Sequence, residues 1–542
     1  MDKEALQAAS VLGQRFSLDA LQQLIGQPDY DCAPLLANGL IRPQGPDILF
    51  AHALVREGVY DSLLLTRRKA LHETAAEWFA ERDVELRAAH LDAAGHPDAV
   101  QAYLAAAQAQ TTKFHFEPAL SLAERGLLLA REEGERFSLT CFRGQMLREL
   151  GSVAESIEAY RDALPSAIDE AGRCRAWIGM AAGMRIIDQS EEALKALDQA
   201  EAEAEKAGGM TLEKAQLHYI RGSIYWPLGN IVGSLREQES ALRFSHEADS
   251  PETEALALGG LGDAYYLQGR ISTAHEYLKN CFELCRRHAF RRIEAANLGM
   301  SSLLRVYLTD LEGGLNDSRA AFELGGKIGH LRADLIGRGV SGYILLQMGD
   351  FEPARKFLED YVRLSAELNA KRQNAFGLIW LSNHALATGD RGKALELVQR
   401  GLAINREVGM RFTGPWSLGI LALATDDPET RLRALEEGER LLDADSIAHN
   451  HLEFYVHAMQ TSLDNGNWAD AERYAAALEE FTRPEPLPWS DFFIARGRAL
   501  AAFGRGDRSD GICGELRHLR DKAEKVKLRL AIPALDRALA SV

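Results

Sequence analysis

The residues with the most chemistry to offer in this 542-residue chain are six cysteines and fifteen histidines. Cys281, Cys285 and His288 fall on one face of a helix, and two thiolates with an imidazole are a donor set suited to zinc. Cys281, however, stands in a slot occupied by Ala241 and Ala321 forty residues to either side. A buried free cysteine behaves as a small hydrophobe, so it reads as core filler. No cysteine pair has the two-residue gap of a zinc knuckle or a redox motif. His449, His451 and His457 form a looser group whose spacing does not converge three or four ligands. No metal and no cofactor is expected. For covalent chemistry there is no Gly-x-Ser-x-Gly elbow, no His-Glu-x-x-His and no kinase signature. The 79 acidic residues are too many for spacing to select a catalytic pair. No catalytic residue is assigned, and the chain reads as a non-enzyme.

What would position any functional group is a ladder of turns. Gly229-Asn230 … Ser234, Gly269-Arg270 … Ala274, Thr309-Asp310 … Gly314, Gly349-Asp350 … Ala354 and Gly389-Asp390 … Ala394 recur every 40 residues. Looser copies lie at Phe114, Gly151, Asp188, Asp426, Gly466 and Gly504-Arg505-Gly506. Seven positions before each turn stands a small residue, such as Gly222, Gly262, Ser302, Gly342 or Ser382, and five after it another. Small side chains let two helices approach closely. A turn glycine supplies the positive φ that ends the first helix. Between turns the apolar residues follow a helical period, as at Ala394, Leu397, Val398 and Leu402. The expectation is an all-α solenoid of about ten stacked hairpins over residues 131–542, led in by a helical linker with degenerate first repeats over 66–130.

These small positions and the Gly-Asp turn resemble the tetratricopeptide repeat, although its usual period is about 34 residues. The resemblance implies a right-handed superhelix whose first helices line a concave face. Carried onto this chain, the concave positions are Tyr219, Ser223, Trp226, Asp263, Tyr266, Tyr343, Phe376 and Asn383. Aromatics with a few polar groups suit a recognition groove for a protein, a peptide or a small effector. For Trp226 and Phe376, packing between repeats explains the residue equally well.

Ahead of the ladder the pattern changes. Residues 2–12 and 17–25 read as helices, the second capped by Ser17, and 29–37 as a third. Leu40-Ile41-Arg42-Pro43 and Ile48-Leu49-Phe50-Ala51 flank the turn-rich Gln44-Gly45-Pro46-Asp47, a hairpin signal. Three helices and one β-hairpin predict a small winged-helix domain over residues 1–65. Ala8-Ala9-Ser10-Val11-Leu12-Gly13-Gln14-Arg15-Phe16-Ser17 and Phe50-Ala51-His52-Ala53-Leu54-Val55-Arg56 resemble the winged helix of bacterial STAND/AAA-type signalling ATPases. In that family it joins a nucleotide-binding domain to a repeat array, as in ATPase-linked adenylate cyclases and maltose-activator-like regulators. The resemblance implies that His52 senses a nucleotide phosphate held by that domain. His52 also precedes a helix, whose amides and dipole favour an anion; the plainer role is to close the hairpin against the core. The chain departs from the family in lacking a Gly-x-x-x-x-Gly-Lys-Ser/Thr phosphate loop.

A net charge of −17 argues against general nucleic-acid binding. The candidate recognition helix, Asp29 to Ala37, has no Lys or Arg to reach a base edge. There is no basic-then-apolar leader and no apolar run long enough to span a bilayer, so the chain reads as cytoplasmic. The expected role is a regulatory module that binds a protein, peptide or small effector. The alternative is the C-terminal part of a signalling ATPase, with the nucleotide-binding domain outside this chain or supplied in trans.

Overall fold

The computed structural model describes residues 2–442 and 446–541. The chain divides into two compact units, Met1–Met210 and Thr211–Val542.

Unit 1 begins with α1 (Asp2–Leu12), β1 (Arg15–Phe16), α2 (Leu18–Ile25), α3 (Ala33–Ala37), β2 (Ile41–Gln44), β3 (Asp47–Phe50) and α4 (Ala53–Asp61). The Ser17 hydroxyl caps α2 by accepting from the Ala20 amide. The third helix is shorter than expected. It starts at Ala33, and Pro34 in its first turn has no amide to extend a helix backwards. The expected hairpin gains a strand, because β1 pairs with β3 (Arg15 with Leu49) and gives an antiparallel sheet in the order β1-β3-β2. Phe16, Leu21, Leu35, Ile41 and Phe50 fill the small core.

The rest of unit 1 is helical: α5 (Leu65–Phe79), α6 (Val84–Ala94), α7 (Ala99–Thr111), α8 (Phe116–Leu129), α9 (Glu133–Glu149), α10 (Val153–Ala163), α11 (Glu170–Ile186) and α12 (Ser190–Ala207).

Unit 2 holds α13 (Thr211–Tyr225), α14 (Ile231–Glu247), α15 (Pro251–Leu267), α16 (Ile271–His288), α17 (Arg291–Tyr307), α18 (Leu311–Ile328), α19 (Leu331–Gln347), α20 (Phe351–Glu367), α21 (Lys371–Ala387) and α22 (Arg391–Val408). It continues with α23 (Gly414–Ala424), α24 (Pro428–Leu442), α25 (Ala448–Asp464), α26 (Trp468–Thr482), α27 (Pro488–Gly504), α28 (Asp510–Lys525) and α29 (Ile532–Leu539).

Every expected turn of the regular stretch takes positive φ, Thr309 included. A second ladder, Asp249, Ala289, Gly329, Asn369 and Gly409, does the same at the opposite end of the hairpins. The two ladders are offset by 20 residues, so the helices of each repeat are nearly equal in length. The small positions meet where expected. Ser234 donates its hydroxyl to the Gly222 carbonyl at 2.9 Å, Ser302 to Gly314 at 2.6 Å and Ser382 to Ala394 at 2.7 Å. Such spacing brings two backbones close and satisfies each hydroxyl at the crossing.

Candidate functional site: the inner helices of unit 2

The first helices of the hairpins, α15, α17, α19 and α21, present aromatics to the inside of unit 2. The last helices of the chain return to meet them. Glu485 accepts from the Ser272 and Thr273 amides and from the Thr273 hydroxyl, at 2.5, 3.2 and 2.7 Å. Lys527 pairs with Glu312. Ser272, Thr273 and Glu312 lie just past the turns at Gly269 and Thr309, so the C-terminal helices grip the rim of the earlier repeats.

Between these rim contacts lies a buried polar cluster. Glu453 on α25 is 2% exposed and accepts from Tyr343 at 2.5 Å and Tyr307 at 3.3 Å. One helical turn earlier, His449 donates from Nε2 to the Phe412 carbonyl, which leaves Nδ1 to accept from Tyr266 at 2.7 Å. One turn later, the His457 ring sits between two acceptors, with Nδ1 at the Glu453 carbonyl and Nε2 3.0 Å from the Asn383 side-chain oxygen. A single face of α25 thus bonds side chains from α15, α17, α19 and α21. Trp380, Trp416, Phe376 and Phe412 surround it, with the Phe376 ring 4.2 Å from Trp380 and 5.3 Å from Trp416.

Burial dominates the protonation states here. Desolvation lifts the Glu453 carboxyl to about 7 against the pull of the two phenols, and no cation among the described residues offsets it. Desolvation likewise raises the Tyr266, Tyr307 and Tyr343 phenols well above their usual range. It lowers the His449 and His457 imidazoles to about 4, so both are neutral near pH 7.

Of the eight concave positions, Tyr266, Tyr343, Phe376 and Asn383 are buried against this cluster. The open groove expected along them is filled by α25, and they serve as interior packing. Trp226 packs edge-on to Phe412 at 5.7 Å and, like Tyr219 and Ser223 on α13, is half-buried. Asp263 on α15 is also half-buried. Desolvation raises its carboxyl to about 7, and the charge of Arg332 on α19 partly opposes that. Glu453 and Tyr307 carry no mark in the sequence, and His449 stands out there only as one of a loose group of histidines. No local signal marks Glu453, because its partners lie 110 and 146 residues away in the chain.

His52 is exposed at the start of α4 and makes no side-chain capping bond. None of the residues of α4 is buried, and Leu54 is 79% and Leu64 77% exposed. In α3, Leu35 points into the core and the Asn38 side chain bonds the Pro34 carbonyl at 2.8 Å. Cys281 and Cys285 are fully buried with sulfurs 3.9 Å apart, Cys281 bonding the Ala255 carbonyl, whereas His288 is exposed and stacks on Phe290. His451 stacks on Phe481 at 4.2 Å, away from the ring partners of His449 and His457. Arg286 and Arg291 both pair with Glu294 across the α16–α17 junction.

The two-helix unit with crossing small residues defines a tetratricopeptide-like array, and a tetratricopeptide-repeat family model matches residues 339–368, from α19 into α20. Among solved structures, a signal transduction ATPase with numerous domains (STAND) protein with a tetratricopeptide repeat sensor, from Pyrococcus horikoshii, superposes with a TM-score of 0.53 at 15% identity. The match covers 75% of this chain and 63% of that one, so this chain spans less than two thirds of that protein. The APC/C hetero-tetramer Cut9–Hcn1 superposes at 0.50 with 13% identity over 90% of this chain and 93% of that one. A Rap protein complexed with competence and sporulation factor reaches 0.49 at 11% identity over 68% and 97%. At these identities the likeness is one of fold. No curated protein matches the sequence. Among the described residues no helix is long and apolar enough to cross a membrane.

Proposed function

We propose that the chain is a non-catalytic regulatory module that binds a protein segment, a peptide or a small effector at the half-open part of the unit 2 interior. The observation that carries this is a division of the inner surface. Its C-terminal part is sealed by α25, whereas Tyr219, Ser223, Trp226 and Asp263 on α13 and α15 keep partial access to solvent. Asp263 is the most informative of them. Its raised carboxyl has a desolvation cost and only the charge of Arg332 against it, so a donor or cation on a ligand would gain more there than at an open surface. Tetratricopeptide-type arrays commonly use such curved interiors for recognition. The test is quantitative pull-down from the source cells with the wild type and with Tyr219→Ala/Asp263→Asn, checking that melting temperature is unchanged. Loss of specific partners supports the reading. Stable variants that retain every partner would move the site elsewhere.

A second reading is favoured by the exposure of α4 and its ends, with His52 and Leu54 exposed at its start and Leu64 and Leu65 exposed after it. Exposed leucines at both ends of one helix suit a covering domain. In the signalling ATPases that the N-terminal segment resembles, that domain binds nucleotide. An in-frame phosphate loop in the genomic sequence upstream of Met1 would support this reading. In the resulting protein His52→Ala should then weaken nucleotide retention, and unchanged retention would remove His52 from the site.

A further inference from the structure

The face of α25 that closes unit 2 is an unusual one to bury. Its central side chain is a carboxyl, and among the described residues the neighbouring elements furnish it with phenol hydroxyls alone: Tyr343 from α19 and Tyr307 from α17, both on Oε1. Tyr266 of α15 is near enough to feel its charge but spends its hydroxyl on His449. Among the described residues, the other titratable groups facing the closure are His449, His451 and His457 on α25 itself, Asp263 on α15 with Arg332 of α19 against it, and Arg496 of α27, which spends its guanidinium on Gln460 and the Ala531 carbonyl; neither arginine acts on Glu453. Neutral imidazoles and a second carboxyl cannot compensate a charge at Glu453. A protonated Glu453 fits such a site, whereas an ionised one must be held there without a cation, at a cost set by desolvation.

We propose that this closure is a proton-gated latch: loss of the Glu453 proton loosens α25 from α15, α17 and α19 and uncovers the inner faces of those helices, Tyr266 and Tyr343 among them. The rim contacts of Glu485 and Lys527 lie outside the cluster and act as hinges or secondary clasps. The latch rests on the closure geometry and does not depend on which ligand, if any, occupies the half-open part of the interior.

The direction in pH follows from the Glu453 carboxyl, whose value in the closed form, about 7, lies above its ordinary 4.5. The closed form therefore holds the proton more tightly than the open form, and closure weakens as pH rises from about 4.5 through 7. His449 and His457 lie near 4 in the closed form against an ordinary 6.5, so where opening exposes them they strengthen closure over the same rise in pH and oppose the Glu453 response; the Glu453 share is therefore read as the ratio of wild type to Glu453→Gln. Asp263 shares the range of Glu453 and must be controlled.

Hydrogen exchange of the full chain at pH 6.0 and 8.5, normalised for the intrinsic chemical rate, tests the latch. The opening constant read from α25 peptides, divided by that of Glu453→Gln at the same pH, should rise about ten-fold between the two, the ratio a 4.5-to-7 shift sets over that interval. Peptides of α15 and α19 should follow. Glu453→Gln, which keeps the shape and cannot ionise, should keep only the opposing response of the histidines, while Asp263→Asn should leave the wild-type response intact. A Glu453→Gln protein with the wild-type response, that is a ratio that does not change with pH, would overturn the proposal. So would loss of the response in Asp263→Asn, which would assign it to the other carboxyl. If Glu453→Gln does not fold, Tyr343→Phe provides the second arm. Removing a donor from the carboxylate should move the midpoint of opening to higher pH, and an unmoved midpoint would also overturn it.

Discussion

The side-chain bonds in the repeats of unit 1 join helices close in sequence: Arg125 to Asp92, Ser156 to Gly144, Arg173 to Glu203. Those of unit 2 include such local bonds and also bonds across the superhelix, with partners 110 to 215 residues apart. Unit 1 thus follows the nearest-neighbour logic of a solenoid, in which each repeat is stabilised by those beside it. Unit 2 does not, because α25 touches four repeats at once. The same hairpin can therefore build a chain of locally stable pieces or a closed body that opens and shuts as a whole.

The largest effect that would break this distinction is a cavity in the closure. Trp416 is fully buried against Tyr343, Phe376 and His449. Trp416→Ala should cost about 3–5 kcal/mol. Amide protection should fall together in α15, α19 and α25. In unit 1, Leu139 packs with Val100, Ala119, Phe142 and Met146. Leu139→Ala should cost about 2–5 kcal/mol and raise exchange in α7 to α9, leaving α5 and α12 protected. Uniform loss across unit 1, or loss confined to α23 in unit 2, would erase the contrast.

The two units should also differ in acid. In unit 1, His72 and His90 are buried with Nδ1 atoms 2.9 Å apart, and Tyr60 bonds the far nitrogen of His72. Desolvation lowers both to about 4, His72 with further help from its neighbour and Arg68. Their folded values lie below the unfolded 6.5, so the stability they contribute is complete above about 6.5 and is lost as pH falls towards 4. For a pair sharing one site the loss is on the order of 3 kcal/mol. Exchange in α5 and α6 should rise over that interval, and His72→Phe/His90→Phe should flatten the rise. The Glu453 response runs in the opposite direction.

Backbone approach gives a smaller contrast. A Cβ on Gly337 in α19 would lie 2.7 Å from the Phe322 nitrogen and the Ser318 carbonyl of α18. Backbone cannot yield as a side chain can, so Gly337→Ala should cost about 1–3 kcal/mol. Gly58 in α4 has nothing within 4 Å of such a Cβ, and Gly58→Ala should stabilise by roughly 0.5–1 kcal/mol. Thermal melts of both variants check the sign.

What the sequence made legible was whatever recurs or is local. The turns at 229, 269, 309, 349 and 389, the small crossings and the Ser17 cap were all readable because their causes lie within one hairpin. The second turn ladder was missed because Asp249, Ala289, Gly329, Asn369 and Gly409 share a positive φ and not a residue type. The closure was missed for a stronger reason. A periodic pattern places Tyr266 and Tyr343 on the inner face correctly, but whether that face meets solvent or α25 depends on superhelix curvature, which accumulates over many repeats and has no motif. Glu453 accordingly looked like one acidic residue among 79.

The smallest expected effect is the one that should not distinguish the units. Ser156 in unit 1 and Ser302 in unit 2 make the same bond, hydroxyl to the carbonyl of the small residue across the hairpin, each at 2.6 Å and each fully buried. Changing either to Ala removes the donor and leaves a helix carbonyl that keeps its own backbone partner. The cost should be about 1 kcal/mol in both cases, with exchange rising only in the mutated hairpin. If Ser302→Ala instead loosens α25 while Ser156→Ala remains local, then even the hairpin crossings of unit 2 are coupled to its closure, and the boundary between local and closed construction lies inside the repeat rather than at α25.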